Sequence, residues 1–204
     1  MINLIEKYGN TNGIDKYREV VNMKKFLSNV LVKVYRYGYD IAVSEEMKRE
    51  KEFLHHGSVN CFEHSVNVAC MCVSMGECIN RVFKNMVDIK QLVRGALLHD
   101  YFLYDWHEYR KTGKKPFRNH GYAHPKIALA NAQRDFTVSK KEANIILRHM
   151  FPLTPVPPKY IEGFIVTIAD KICAVRELWR SSPVEEESFC DNEITGTKTV
   201  KLKP

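Results

Sequence analysis

The sequence predicts an all-α fold in a single domain, a bundle of helices, and three observations predict it. Apolar residues recur at three- and four-residue spacings along most of the chain. Ser or Asp stands before such runs with Glu or Gln three residues later, the pattern of a capping box. No segment alternates as a half-buried strand would, and no internal repeat is found.

The elements follow in order. From Asp15 to about Tyr37, Val20, Met23, Phe26, Leu27, Val30, Leu31 and Val34 mark one apolar face of a first helix. Ser44 followed by Glu45 and Glu46 opens a short second one, with a capping oxygen and acids against the positive end of the dipole. A third runs from about Asn60 to Ile79. Asp88 and Gln91 fit a capping box for the fourth, which ends at His99–Asp100. His124 precedes Pro125, and a proline suits the first helical position, so a fifth is expected from there to about Arg134. Ser139 and Glu142 open a sixth reaching His149, stopped by Phe151-Pro152-Leu153-Thr154-Pro155-Val156-Pro157-Pro158. The seventh runs from about Tyr160 to Trp179 with Phe164, Ile168, Ile172 and Val175 on one face. Residues 1–54 read as an N-terminal helical extension, 55–180 as the core, and 181–204, rich in Glu and Thr, as a tail without a core pattern.

Composition sets the setting. A chain of 204 residues, 45% hydrophobic, buries a useful core in one domain. No apolar run reaches the roughly 18 residues that would span a bilayer, and Met1-Ile2-Asn3-Leu4-Ile5-Glu6-Lys7 lacks a secretion signal. The cysteines Cys61, Cys70, Cys72, Cys78, Cys173 and Cys190 follow no framework spacing, so they read as reduced, packed thiols of a cytoplasmic protein. Cys70 and Cys72 point in different directions on a helix and do not make a zinc site alone. The net charge of +7 favours anionic partners, but its cations are spread along the chain.

The candidate site is a set of histidines and aspartates that fall inward. The pair His99–Asp100 closes the apolar run Leu92-Val93-Arg94-Gly95-Ala96-Leu97-Leu98, where desolvation demands a partner and a metal cation is one. His99 lies seven after Leu92 and Asp100 four after Ala96. His149 is three after Ile146, Asp170 four after Val166, and His64 four before Val68, while His124 sits where a helix is expected to start. One inward histidine is ordinary packing; five helices each presenting His or Asp is not. Imidazole mixed with carboxylate and no thiolate suits iron, manganese, zinc or magnesium, and four His with two Asp suffice for two metals with a bridging carboxylate.

The ordered set His64, His99–Asp100, His124, His149, Asp170 resembles the HD-domain superfamily of metal-dependent phosphohydrolases, over about residues 55 to 180. The strings "HHGSVNCFEHSVNVA", "GALLHDYFLYDWH", "HGYAHPKIALANA", "ILRHMFPLTPVP" and "IVTIADKICAV" are similar to bacterial members of unassigned substrate. The resemblance implies an HD-type bundle with a metal site between helices. His64, His99, Asp100 and Asp170 would hold a first divalent ion, and His124 and His149 a second, with Asp100 bridging both as the catalytic carboxylate and a bridging hydroxide as nucleophile. The chain departs from the members that cleave cyclic dinucleotides: "PLTPVPP" replaces their signature, and Tyr101-Phe102-Leu103-Tyr104 follows the doublet instead of Gly-Lys.

Around that set, Lys171 is expected either to meet substrate phosphate or to pair with an acid such as Glu63. Arg118 and His120 are candidates for gathering phosphate from the basic loop Arg110 to His120. Asp105 and His107 are placed to assist proton transfer or to anchor that loop, and His55 and His56 to line the entrance. The implied substrate is a nucleotide or other small phosphate ester. Duplex nucleic acid, a membrane and a protein partner are not expected. No G-x-S-x-G elbow, Walker loop or H-E-x-x-H stands in the chain. The alternatives are an HD-fold di-iron oxygenase using the same ligands, and a non-catalytic, metal-stabilised ligand sensor.

Overall fold

The computed structural model describes residues 13–56, 59–104 and 120–181. Its helices are α1 (Gly13–Ala42), α2 (Glu45–Arg49), α3 (Cys61–Val82), α4 (Ile89–Leu98), α5 (His120–Asp135), α6 (Lys140–Arg148) and α7 (Ile161–Ser181). The caps explain several boundaries. Ser44 accepts from the Met47 N–H, Asn60 from Glu63 and Asp88 from Gln91. Ser139 and Glu142 close a full capping box at the start of α6. The box expected at Asp88 is only half made. The Gln91 side chain turns to the Ser139 hydroxyl, and the Asp88 N–H donates instead to Glu162 Oε1 at 2.9 Å.

α4 is the axis of the bundle, packed by α1, α3, α6 and α7. Every residue from Leu92 to Leu98 is buried, including Arg94. Arg94 reaches Asp40 of α1 at 2.6 Å and Glu142 of α6 at 3.0 Å, and its Nη2 donates to the Thr137 carbonyl. Two glycines permit close helix contact. A Cβ at Gly38, where α1 kinks, would run into Leu97, and one at Gly95 would lie 2.7 Å from Ile145. Val30, Val34, Ile41 and Met47 share one core with Val68, Val73, Leu97, Ile145 and Val166, so the N-terminal helix is built into the same bundle.

Four expectations need correction. A two-stranded antiparallel hairpin is present, β1 (Leu54–His56) with β2 (Val59–Asn60), where no strand was expected; so short a pair gives no alternation to read. α5 is helical from His120, so Pro125 stands inside it and His124 does not open it. The missing proline N–H leaves the Gly121 carbonyl without its helical donor. The face of α7 carrying Phe164, Ile168, Ile172 and Val175 is exposed, and the buried face holds Glu162, Ile165, Val166, Ala169, Asp170, Cys173 and Glu177. On α1, Phe26, Leu27 and Leu31 are exposed while Val30 and Val34 are buried. No helix among the described residues is long and apolar enough to cross a membrane.

Candidate metal centre

Three helix ends and two helix interiors converge on one buried cluster. His99 and His149 are the C-caps of α4 and α6, His64 lies in the first turn of α3, His124 in the second turn of α5, and Asp170 midway along α7. His64, His99 and His149 are fully buried, and Asp100, His124 and Asp170 nearly so. His64 Nε2 stands 3.2 Å from Asp170 Oδ1, and His99 Nε2 stands 3.5 Å from Asp100 Oδ2. The other oxygen of Asp100 is 3.1 Å from His124 Nε2 and 3.4 Å from His149 Nε2. Among the described residues three groups of ligating atoms result, each within 4.8 Å: His64, His99, Asp100 and Asp170; Asp100, His124 and His149; and His55, His64 and Glu177. Asp100 belongs to the first two.

Backbone carbonyls fix the tautomers. His99 Nδ1 donates to the Ala96 carbonyl at 2.7 Å, His149 Nδ1 to Ile146 at 2.8 Å, and His124 Nδ1 to His120 at 2.9 Å. A carbonyl only accepts, so each Nδ1 carries the hydrogen and each neutral ring turns a bare Nε2 inward. His64 is oriented in the same way by Glu177, whose Oε2 accepts from Nδ1 at 2.7 Å while Asn67 steadies the other oxygen at 3.1 Å. This is the outer arrangement usual for metal-binding imidazoles.

The residues present fit divalent cations. His99 Nε2 and Asp100 Oδ1 are buried without a hydrogen-bond partner. His124 Nε2 and His149 Nε2 face each other at 2.9 Å. Two lone pairs at that distance repel unless a cation or an added proton lies with them. A divalent cation held by both nitrogens would remove that repulsion.

Electrostatics points the same way. Burial alone lifts the carboxyls, yet His99 and His124 hold Asp100, and the hydrogen bond from His64 with the nearby charge of His99 holds Asp170, well below the usual carboxylate range. Burial lowers His64, but hydrogen bonds to Asp170 and Glu177 prevail and raise it to about 9. His149, dominated by burial, is lowered. Anionic oxygens therefore draw protons onto imidazoles where a cation would replace them. Nearby, burial pushes the Glu50 carboxyl up to about 7, and its Oε1 accepts the Leu103 N–H at 3.0 Å.

A cavity of about 270 Å³ opens onto the cluster, lined by His55, Asp100, His120, His124, Met150, Asp170 and Lys171 among others. Lys171 pairs with Asp170 Oδ2 at 2.6 Å, not with Glu63, and remains half exposed at the cavity edge. His120 is in the wall, its Nδ1 3.0 Å from the Tyr104 hydroxyl. Arg118, Asp105, His107 and the other basic residues of the 110–119 loop, with the side chain of His56, lie outside the described residues. Cys61, Cys70, Cys72, Cys78 and Cys173 form no disulfide among the described residues, and none belongs to their metal-ligating groups. The sequence reading did not single out Glu177, and it placed His55 at the entrance without its contact with Asp100 Oδ2 at 2.9 Å. Glu177 carried a signal, since it lies two helical turns after Asp170 and so on the same face.

An all-α bundle with a buried histidine–aspartate cluster defines a helical protein whose side chains could hold a metal ion. Residues 61–175 match the family model of the HD domain, more than half of the 204 residues, and the chain belongs to that family. HD domains bind divalent metals, and most of the superfamily are metal-dependent phosphohydrolases. No curated protein and no solved structure matches the chain in the same comparisons.

Proposed function

We propose that the chain is a phosphohydrolase that uses two divalent cations to cleave a nucleotide or another small phosphate ester. The observation that carries this reading is the sharing of Asp100: one buried carboxylate turns one oxygen to His124 and His149 and the other towards His99. His64, His99, Asp100 and Asp170 would hold one ion, and Asp100, His124 and His149 the other. Divalent cations there supply Lewis acidity for phosphoryl oxygens and lower the pKa of water. The protein's own part is to keep Nε2 lone pairs aimed inward, to exclude bulk water, and to bring a cation to the substrate.

Lys171 supports a phosphate substrate, since it stands at the cavity edge beside Asp170 with room to turn outward. His120, in the cavity wall, is a further candidate for phosphate contact, and Arg118, outside the described residues, is one from the sequence. Among the described residues lining the cavity Lys171 alone is a lysine or arginine, whereas duplex binding depends on several phosphate contacts and shows a steep salt dependence. Purified protein analysed for metal and then screened for phosphate release over nucleotides and sugar phosphates tests the reading. Release that follows metal content and is indifferent to oxygen is expected. Product formed only with dioxygen, and no phosphate, would transfer the site to the oxygenase alternative. Lys171→Met should raise KM or lower turnover while leaving metal content unchanged.

A further inference from the structure

His55 reaches the cluster from the hairpin. Its ring is 7% exposed and stacks on His64, with centroids 3.9 Å apart and planes 23° from parallel. The hairpin and the helix bearing His64 are joined at both sides of the turn. Asn60 ends β2 and caps α3, and the Cys61 N–H donates to the Phe53 carbonyl at 2.9 Å. The pairing is irregular between Leu54 and His56. His55 is turned inward there, while Leu54 remains exposed.

The contact with Asp100 has a direction. A carboxylate oxygen accepts, so His55 Nε2 donates to Oδ2 across 2.9 Å. Asp100 has to keep one rotation about its Cβ–Cγ bond if Oδ1 is to face His124 and His149 while Oδ2 faces His99. The bonds that fix His99, His124 and His149 to backbone carbonyls act on the rings alone. His55 supplies a donor bond to the carboxylate itself. We propose that His55 is a positioning residue of the metal centre, its Nε2–H holding Asp100 Oδ2 so that the shared carboxylate presents one oxygen to each cluster. This rests on the reading of the cluster as a metal centre. Partners of ligating carboxylates and imidazoles typically matter by about 10–100-fold in metal affinity.

The rival account is packing alone, since the His55 ring also covers His64. Two substitutions in the whole chain separate the two. His55→Gln retains an N–H donor without the ring, and His55→Phe retains a ring without the donor. Cobalt(II) is the probe, with affinity measured by chelator competition and coordination read from its visible absorption. His55→Phe is expected to weaken cobalt(II) binding by about 10–100-fold, and His55→Gln to recover most of that loss with the wild-type spectrum. If the phenylalanine is not accommodated, His55→Met, of similar length and without a donor, supplies the same contrast with His55→Gln. Wild-type affinity in the donor-free variant overturns the proposal in favour of packing. A weak His55→Gln variant with an altered spectrum overturns it by making His55 a ligand itself. A wild-type chain that takes up no cobalt overturns the metal reading and this one together, an outcome distinct from both others.

Discussion

Replacing Asp100 by Ala removes the carboxylate common to both clusters, so metal content should fall towards zero and activity with it. His149→Ala withdraws one nitrogen from the cluster with His124 and leaves the His64, His99 and Asp170 side intact. Roughly half the metal should remain; equal loss in the two variants would sink the partition. His64 makes a prediction about pH. Its pKa is raised from an ordinary 6.5 to about 9, so the folded, metal-free chain holds this proton more tightly than the unfolded chain. The resulting stabilisation is complete below 6.5 and is lost as pH rises through about 9. Thermal unfolding in chelator should therefore show stability declining across that window. A bound cation takes the place of the proton, so the decline should disappear on metal loading, and metal affinity should rise with pH over the same range. A metal-free chain with no slope there would mean that Glu177 and Asp170 do not hold His64 as described.

Between elements, Arg94 ties α1, α4 and α6 together through Asp40 and Glu142. Arg94→Leu leaves the Glu142 carboxylate buried without that partner, and breaking such a pair costs about 3–5 kcal/mol; a denaturant midpoint measures it. Gly95→Ala pushes a methyl into Ile145 at 2.7 Å, where overpacking costs about 1–3 kcal/mol. It should also spread α4 from α6, and so His99 from His149, lowering metal content more than Ala substitutions on the exposed face of α7 do. Several helix starts were legible because Ser44, Asp88 and Ser139 act on their own local backbone. The six metal candidates were legible because inward His and Asp stand out against apolar runs. The buried side of α7 was not. Both faces of that helix carry apolar residues, and Glu162, Asp170 and Glu177, which identify the inner face, look like solvent markers to any hydropathy rule. The contact of His55 with Asp100 was hidden for another reason. Its inward turn depends on an irregular pairing between strands of three and two residues, too short for a periodic signal.

For the whole molecule, the substrate class sets the expected behaviour in solution. A site for a small phosphate ester should show activity only modestly sensitive to salt, and duplex DNA should bind weakly without a steep salt slope. Titrating binding from low to moderate ionic strength checks this. Tight, strongly salt-dependent duplex binding would contradict it. The outward face of α7 gives the chain a spectroscopic property of its own. Trp179, 81% exposed at the far end of that helix, is one of only two tryptophans in the sequence, the other being Trp106. In the Trp106→Phe protein all indole fluorescence comes from Trp179, so its emission should be red-shifted and readily quenched by iodide or acrylamide. Anything that settles on Ile172 and Val175 meets Trp179, which lines the same surface groove. A blue shift with loss of quenching would then register such contact in real time, without a label and without disturbing the metal centre.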